Sequence, residues 1–231
     1  MIVAFTVDLE QDCPPFLSSY RGMEQGFPRL ADLLARLGVP ATFFTTGDVA
    51  TRFPHTVRRL LADGHELACH GMTHAAFTSL GRDAARAEIE RSAEILRGFA
   101  PVTSFRAPYL RFPDAYVDLL EANGFALDSS HAKYKLAYYR SRVATTMRRV
   151  PASVTSSVLR LPRAIRGAYL SALSSPVVLF VHPWEFVDLT RERLRLDCRF
   201  KTGDVALQCV EDVLTSCAKR GARFVRMRDI H

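Results

Sequence analysis

Short apolar runs alternate with amphipathic helical segments along this chain, and a polar residue follows many of the runs where they end. The run at residues 2–8 ends in an aspartate, and the run at residues 176–181 ends at His182. Strands that alternate with helices through short connections favour a parallel α/β sheet. Because the carboxyl ends of parallel strands meet on one face, we expect the polar residues to gather there. We therefore predict a single α/β domain over residues 1–231 with a site on that face.

The apolar spacing also places the individual elements. The predicted strands cover residues 2–8, 41–45, 66–69, 104–107, 125–128, 176–181 and 223–227. The predicted helices cover residues 28–37, 54–62, 82–98, 115–123 and 204–219. Residues 47–51 are predicted to be an exit loop. Residues 131–175 are predicted to be an insertion-like stretch of loops and short elements, because they are basic and interrupted by proline.

Two histidines, His70 and His74, follow the apolar run at residues 67–69. Neutral imidazoles held close together are good ligands for a divalent metal ion, and they need at least one more ligand, usually a carboxylate. A helical zincin motif is disfavoured, because the glutamate that it requires between its histidines is absent. The chain has seven histidines, so this pair could also arise by chance. The interpretation therefore depends on partners elsewhere in the chain.

The formal net charge of +7 is unevenly distributed. Residues 129–184 contain no aspartate or glutamate, but they contain Lys133, Lys135, Arg140, Arg142, Arg148, Arg149, Arg160, Arg163 and Arg166. Such a stretch can bind phosphate groups or rest against an anionic membrane, or it can be an ordinary solvated face. The sequence has no helix-turn-helix, zinc-finger or RNA-recognition motif, so nucleic acid is not an expected partner.

The predicted compartment follows from three features of the sequence. No apolar run approaches the ~20 residues that span a bilayer. The N-terminus has neither the charged region nor the cleavage site of a signal peptide. The five cysteines form no CxxC pair and are interpreted as reduced thiols. We therefore expect a cytoplasmic protein that can lie peripherally at the inner membrane face.

Five short motifs lie at the predicted strand ends. They are TVDLE at residues 6–10, HGMTH at 70–74, RAPY at 106–109, DSS at 128–130 and FVHPWE at 180–185. In this order they resemble the polysaccharide deacetylase family, the NodB-homology carbohydrate esterases, over about residues 1–190. The last motif is similar to the branch that modifies exopolysaccharides and lipid-linked sugars. The resemblance implies an irregular (β/α)7 barrel.

The resemblance also implies a metal site and a general base. The family's first motif usually has two adjacent aspartates, one acting as base and the next binding metal. Here Leu9 follows Asp8, so Asp8 is assigned as the base and Glu10 as the third metal ligand beside the two histidines, with Asp12 as the alternative ligand. One divalent ion is expected, with Zn²⁺ preferred and Co²⁺, Ni²⁺ or Fe²⁺ as alternatives.

The same resemblance assigns the other functional residues. His182 is expected to act as general acid, with Asp128 as the carboxylate that keeps it cationic. Arg106 is expected to pair with Asp8 and to hold it ionised. The backbone N–H of Tyr109 is expected to help hold the oxyanion. The expected substrate contacts are Pro108 and Trp184, the latter by stacking against a sugar ring.

The predicted function is metal-dependent removal of an N-acyl group, foremost acetyl, from an amino sugar, in a nucleotide-linked, polyprenyl-phosphate-linked or small-molecule form. Two alternatives keep the same fold: hydrolysis of a formamide, cyclic imide or ureide, and a catalytically silent module that binds glycans or lipids. An iron oxygenase with two histidines and one carboxylate ranks last. It would leave Asp8 and His182 without a role.

Overall fold

The computed structural model describes residues 1–141 and 143–230. Its strands pair in parallel in one sheet, in the order β6-β5-β4-β3-β2-β1-β7, and β8 pairs with the start of β1. The strands are β1 (Ile2–Leu9), β2 (Ala41–Thr45), β3 (Glu66–Cys69), β4 (Ser104–Phe105), β5 (Leu127–Asp128), β6 (Arg148–Arg149), β7 (Val177–Val181) and β8 (Arg223–Phe224).

Helices follow most of these strands. They are α1 (Phe27–Leu37), α2 (Gly47–Arg52), α3 (Pro54–Ala62), α4 (Arg82–Arg97), α5 (Val117–Ala122), α6 (Leu136–Arg140), α7 (Ser156–Leu159), α8 (Arg163–Ser171), α9 (Leu196–Arg199) and α10 (Asp204–Lys219). A π-helical turn covers Gly22–Gly26. Single 3-10 turns cover Phe77–Ser79, Pro108–Leu110, Asp114–Tyr116, Pro183–Phe186 and Met227–Asp229.

The two sides of the sheet are joined through the segment after β6. The backbone N–H of Ser153 donates to the carbonyl of Val178 on β7 at 2.8 Å, and the Val178 N–H donates back to the Ser153 hydroxyl at 2.9 Å. This exchange links the β6 side of the sheet to β7. The result agrees with the predicted irregular parallel barrel.

Strand β1 shows why the barrel places its site where it does. Val3, Phe5, Val7 and Leu9 are fully buried in the main apolar cluster, which also contains apolar residues of α1. Because side chains alternate along a strand, the residues between them face the opposite side. That opposite face carries Thr6 and Asp8 and, just beyond the strand, Glu10, all of them buried. The two carboxylates therefore project from the carboxyl end of a central strand on one side.

The predicted order of elements is confirmed, and several boundaries differ. The exit loop predicted at residues 47–51 is wrong, since this segment is the first part of α2. The Thr46 hydroxyl caps this helix by accepting from the Val49 N–H at 3.2 Å. The strands predicted at residues 104–107, 125–128 and 223–227 are shorter in the structure, with bounds as given above.

The basic stretch at residues 131–175 contains α6, β6, α7 and α8. Arg142 lies outside the residues that the structure describes. Arg160 and Arg166 are 2% and 4% exposed, so they are internal residues rather than part of a solvated face. Among the described helices, none is both long and apolar enough to cross a membrane.

Candidate active site

Three potential metal ligands converge at the carboxyl ends of β1 and β3. One donor atom each from Glu10, His70 and His74 lies within 4.8 Å of the others, and all three residues are buried. Nε2 of His70 is 3.4 Å from Oε2 of Glu10, and Nε2 of His74 is 2.6 Å from the same oxygen. The two histidines and one carboxylate that the sequence predicts to meet are therefore brought together.

The chemistry of this donor set fits a divalent cation. Nδ1 of His70 donates to the carbonyl oxygen of Arg106 at 2.7 Å, so Nε2 is the nitrogen that faces the Glu10 carboxylate. A divalent cation between this nitrogen and the carboxylate would be bound by both. Ligand atoms around a tetrahedral zinc ion lie about 3.3 Å apart, close to the 3.4 Å between His70 and Glu10, whereas His74 and Glu10 are closer, at 2.6 Å. The carbonyl that orients His70 is a partner of the kind that metal-binding histidines usually have.

Asp12, the alternative third ligand, is held elsewhere. Its carboxylate accepts hydrogen bonds from the Ser19 hydroxyl at 2.7 Å and from the N–H groups of Arg21 and Gly22, each at 2.8 Å. These bonds fix the loop after β1. Of the two candidates, Glu10 is the one that the structure places beside the histidines.

The loop from Gly71 to His74 returns the second imidazole to the first. Gly71 and His74 have φ angles of +78° and +64°, in the left-handed region that a tight turn requires. The Glu88 carboxylate on α4 accepts from the N–H groups of Met72 and Thr73 at 2.9 and 3.0 Å. Glu88 thus supports the histidine loop. No local sequence pattern indicates this role, because the contact joins residues about 15 positions apart on different elements.

Arg106 holds Asp8 in the predicted pair. The guanidinium is fully buried, and its Nη1 donates to Oδ1 of Asp8 at 2.6 Å and to the Thr6 hydroxyl at 2.9 Å. Its Nη2 donates to the Ser129 hydroxyl at 3.0 Å, and the group lies 4.1 Å from the centre of the Phe44 ring. One oxygen of Asp8 is therefore fixed by a cation, and the other is directed towards His182 at 4.0 Å.

His182 begins a turn that supplies its own carboxylate. Oε1 of Glu185 accepts from both Nδ1 and the backbone N–H of His182, each at 2.9 Å. The opposite nitrogen, Nε2, lies 3.8 Å from Glu10 and 4.0 Å from Asp8. Burial alone would lower the pKa of His182, but the charges of Glu10, Glu185 and Asp8 outweigh it and raise the pKa to about 9. The imidazole is therefore held as a proton donor facing the base.

The prediction that Asp128 is the carboxylate beside His182 is wrong. Oδ1 of Asp128 accepts from the Ser130 N–H at 2.8 Å, and Oδ2 pairs with Arg149 at 3.3 Å, in a separate cavity that His131 also lines. Asp128 belongs to the end of β5, whereas Glu185 is three residues from His182 within one turn. Because so few residues separate Glu185 from His182, the Glu185 carboxylate is the one that lies beside the imidazole.

Glu185 is in turn paired with Arg160 from the basic stretch. The two groups are 3.2 Å apart, and each side chain is only 2% exposed. The remaining nitrogens of Arg160 donate to carbonyls of the segment at residues 197–200. Burial would raise the pKa of Glu185, but Arg160 and His182 hold it below its usual value. The sequence showed Glu185 within the last motif but assigned it no role.

The two predicted substrate contacts, Trp184 and Pro108, are both buried. Trp184 is 5% exposed, its ring stacks on the His182 imidazole at 4.8 Å and 17°, and its Nε1–H donates to Glu10 at 3.3 Å. One ring face is covered by His182, and the indole N–H contacts Glu10, so Trp184 orients the two site residues; its stacking on a sugar stays a prediction. Pro108 is buried and begins the turn that carries Tyr109, so it positions that residue, and its contact with a substrate stays a prediction.

Tyr109 stands at the rim of the site. Its φ is +60°, its side chain is 40% exposed, and its ring packs edge-on against His74 with centroids 4.8 Å apart. A cavity of about 290 Å³ opens below it, lined by Asp8, Glu10, Cys13, His70, His74, Tyr109, Leu110, Tyr134, Lys135, Phe180, His182, Trp184, Arg195 and Cys198 among others. The candidate base, acid and metal ligands thus share one opening.

The basic stretch makes a small contribution to this opening. Lys135 lines it, but its ammonium donates to the Tyr109 carbonyl at 2.7 Å. Arg149 pairs with Asp128, and Arg166 pairs with Asp212 at 3.2 Å. Several of the charges that could have bound an anionic surface are therefore neutralised within the fold.

The parallel barrel and its cluster of one carboxylate and two histidines define the class of fold and site, an α/β barrel with a candidate metal centre at the carboxyl ends of its strands. More narrowly, the chain belongs to the polysaccharide deacetylase family, whose model matches residues 3–127, over half of the sequence. The resemblance inferred from the five motifs is confirmed.

Individual relatives agree with this placement. A chitooligosaccharide deacetylase from Sinorhizobium fredii is 39% identical over 85 residues, which is 36% of this chain and 40% of that protein. A peptidoglycan deacetylase from Helicobacter pylori is 26% identical over 193 residues, 76% of this chain and 64% of that protein. The chain thus spans only part of the length of both relatives.

A solved structure extends the similarity of the fold to nearly the whole chain. It is a family 4 carbohydrate esterase from Streptomyces lividans in complex with acetate, with a TM-score of 0.65. The alignment covers 96% of this chain and 90% of that one at 19% identity. The predicted (β/α)7 barrel is thereby confirmed.

Proposed function

We propose that this protein is a metal-dependent hydrolase that removes an N-acyl group, foremost acetyl, from an amino sugar. The observation that carries the proposal is the convergence of Glu10, His70 and His74 within 4.8 Å, with Asp8 and His182 beside them in one cavity. Family members use a divalent metal, and the donor set suits Zn²⁺ first, with Co²⁺, Ni²⁺ and Fe²⁺ as alternatives.

The ion would be held by Glu10, His70 and His74, and when bound it supplies a Lewis acid that polarises the acyl carbonyl and acidifies water. Asp8 then accepts the proton of the attacking water at Oδ2, because Arg106 occupies Oδ1. The predicted oxyanion contact from the backbone N–H of Tyr109 would lie at the rim, where this residue faces the cavity.

Collapse of the tetrahedral intermediate requires a proton for the leaving amine. Nε2 of His182 points towards Asp8 and Glu10 and is placed to carry that proton; the charges of Glu185 and Asp8, together with Glu10 in the metal-free protein, raise the pKa of the ring. Glu185 accepts from the opposite nitrogen, which fixes the ring orientation and stabilises its charge. Asp8 and His182 are thus a separated base and acid, as amide hydrolysis needs.

The substrate class follows from the relatives. Those described above are named for chitooligosaccharide and peptidoglycan, so an N-acetylglucosamine-containing saccharide is the first candidate. The HPWE sequence of the last motif favours a lipid-linked saccharide, such as one carried on a polyprenyl phosphate, as the more specific form, with a nucleotide-linked saccharide as the alternative. A non-sugar formamide, cyclic imide or ureide is the competing substrate.

The experiment is a release assay on the purified protein loaded with Zn²⁺. Acetate is measured from N-acetylated chitooligosaccharides, from a nucleotide-linked N-acetyl amino sugar and from a polyprenyl-phosphate-linked one, with formate and ring-opened products measured from the competing substrates. Asp8→Asn is the inactive control. Acetate release that depends on both Zn²⁺ and Asp8 is expected. Turnover of the competing substrates alone would overturn the sugar assignment, and saccharide binding without turnover would favour a silent module.

A further inference from the structure

The turn that carries Tyr109 holds two residues in a strained backbone conformation. Tyr109 and Leu110 have φ angles of +60° and +51°, in the left-handed region that residues with a Cβ atom rarely adopt. The N–H of Leu110 donates to the Ala107 carbonyl at 3.1 Å, and the N–H of Arg111 donates to the Pro108 carbonyl at 3.3 Å. Among the described residues, none accepts from the N–H of Tyr109, which lines the active-site cavity. The turn therefore leaves this N–H available as a donor.

A lysine from another segment bonds to this turn. The Lys135 ammonium donates to the Tyr109 carbonyl at 2.7 Å and lies 3.5 Å from the Leu110 carbonyl. The carbonyls of both strained residues are therefore beside one cation. Lys135 directly precedes α6 and lines the same cavity. The contact joins the segment after β5 to the turn after β4.

We propose that Lys135 is a positioning residue that holds the turn at Tyr109 and Leu110 in its strained form, and so keeps the Tyr109 N–H in place for the oxyanion. The inference rests on the proposed function, because the oxyanion arises when water attacks the acyl carbonyl. Strained backbone persists only where the surrounding structure over-determines it. A hydrogen bond from a charged donor is stronger than one from a neutral donor. Lys135 supplies such a constraint from outside the turn.

The segment that carries Lys135 is itself anchored. The N–H of Lys135 donates to the Ala132 carbonyl at 2.9 Å, and Ala132 pairs with Ala152 in an isolated parallel bridge. Both alanines are fully buried in a small apolar cluster with Leu110 and Phe180. The lysine and the strained turn are therefore held against a common support. A change at the ammonium should then act on the turn without dismantling the segment.

The position of Lys135 would be unfavourable for a lysine without a partner. Burial and the charge of Arg111 lower its pKa to about 8. A lysine side chain can usually direct its head group into water, but here the ammonium is directed to two carbonyls. The contact with the turn is therefore specific, and assays at about pH 7 keep the amine largely protonated.

A positioning role predicts a particular kinetic signature. The Tyr109 N–H would contact the oxyanion only in the transition state, so its displacement should lower kcat and change KM little. A misplacement of about 1 Å can cost up to about a hundredfold in rate. A lysine with a merely structural role would instead lower the free energy of unfolding without such a split between kcat and KM.

Lys135→Met keeps the aliphatic part of the side chain and removes the donor. Lys133→Met is the matched control, because the Lys133 ammonium also contacts two carbonyls, those of Ser174 at 3.4 Å and Pro176 at 3.3 Å, and does not line the cavity. On the substrate that releases acetate in the assay above, kcat of Lys135→Met should fall roughly tenfold or more, with KM within about twofold of wild type. Lys133→Met should match wild type. An unchanged kcat for Lys135→Met, or an equal fall in both variants, would overturn the inference.

The position of the turn is measured without activity, by amide hydrogen exchange followed by NMR. The amides of Leu110 and Arg111 close the turn, so they should exchange roughly tenfold or more faster in Lys135→Met than in wild type or Lys133→Met. In Lys135→Arg, which keeps a charged donor, they should exchange more slowly than in Lys135→Met. Unchanged exchange in Lys135→Met would overturn the inference whether or not deacetylation is found. Faster exchange in a protein without deacetylase activity would refute the proposed function alone.

Discussion

Replacement of Glu185 by glutamine separates the electrostatic role of this residue from its structural one. The carboxylate is 2.9 Å from two donors of His182 and 3.2 Å from Arg160, all of them nearly buried. Glutamine keeps the size of the side chain but leaves the Arg160 guanidinium without its counter-charge. Breaking a buried pair on one side costs about 3–5 kcal/mol. A domain of ordinary stability, about 5–15 kcal/mol, stays folded after that loss.

The catalytic loss should be larger than the loss of stability suggests. Without the Glu185 charge, the pKa of His182 falls from its raised value, and the acceptor at Nδ1 becomes a neutral amide oxygen that stabilises the imidazolium less. Loss of an oriented general acid lowers kcat by about 10²- to 10⁴-fold. KM should change little, because Glu185 lies behind His182 and away from the substrate.

The second variant, Glu185→Gln combined with Arg160→Met, distinguishes the two roles. Removing both charges relieves the unpaired guanidinium, so most of the lost free energy of unfolding should return. The kcat should stay low, because His182 still lacks its carboxylate. Urea unfolding and steady-state deacetylation measure the two effects. General acids contribute far more than twofold to kcat, so a kcat for Glu185→Gln within about twofold of the wild-type value would refute this reasoning.

Three further predictions follow from the same geometry. Activity should fall as pH rises through the pKa of His182, which is about 9 without metal and lower once a bound cation neutralises Glu10. The raised pKa also stabilises the metal-free protein: this stability is fully present below the pKa of the unfolded state and is lost above the pKa of the folded state. The free energy of unfolding in urea should therefore decrease between these two pKa values. A pH-independent kcat over that interval would contradict the assignment of His182. Arg106→Lys should lower kcat by about tenfold to a hundredfold, because one ammonium cannot replace the donors to Thr6, Asp8 and Ser129. The control Arg111→Lys, at an exposed position, should leave kcat unchanged. Equal kcat values for the two variants would contradict the role of Arg106 in holding Asp8. Gly71→Ala and Gly64→Ala should each lower the free energy of unfolding by about 1 kcal/mol, because both glycines have positive φ angles. Only Gly71→Ala should weaken Zn²⁺ binding, because Gly71 begins the turn that leads to His74. Weaker binding in both variants would contradict this local role and indicate a general effect on folding.

The metal cluster could be predicted because local rules apply to its members. In β1 the period of two places Asp8 and Glu10 on one face, so an acid-x-acid spacing brings both into the barrel. The end of β3 delivers His70, and the tight turn after it delivers His74. The parallel arrangement of the strands then brings these ends together without any further information.

The carboxylate beside His182 could not be assigned in this way. Asp128 ends a strand and Glu185 follows one, and the sequence does not say which side chain reaches the imidazole. The choice is made by the turn at Pro183–Phe186 and by Arg160, which compensates the buried charge of Glu185. Both depend on packing between distant segments.

The burial of two arginines in the basic stretch, Arg160 and Arg166, could not be predicted from the sequence for a similar reason. A run without acidic residues is typical of a solvated face, because buried arginines need partners. Arg160 and Arg166 find theirs in Glu185 and Asp212, which lie 25 and 46 residues further along the chain. Only the closed fold shows these pairs. The helix at residues 47–52, in contrast, had a local signal in the Thr46 cap that could have been used.

The most direct test of the metal cluster is to measure Zn²⁺ binding to the chelator-treated protein by titration calorimetry. Glu10→Gln is compared with Glu66→Gln, a second buried glutamate at the opposite, amino end of β3 that accepts from Thr42 and Ser104. We predict one Zn²⁺ per chain for wild type and Glu66→Gln, and binding weaker by more than about tenfold for Glu10→Gln. Absence of binding to the folded wild type, or equal binding by all three proteins, would contradict a metal centre at Glu10, His70 and His74.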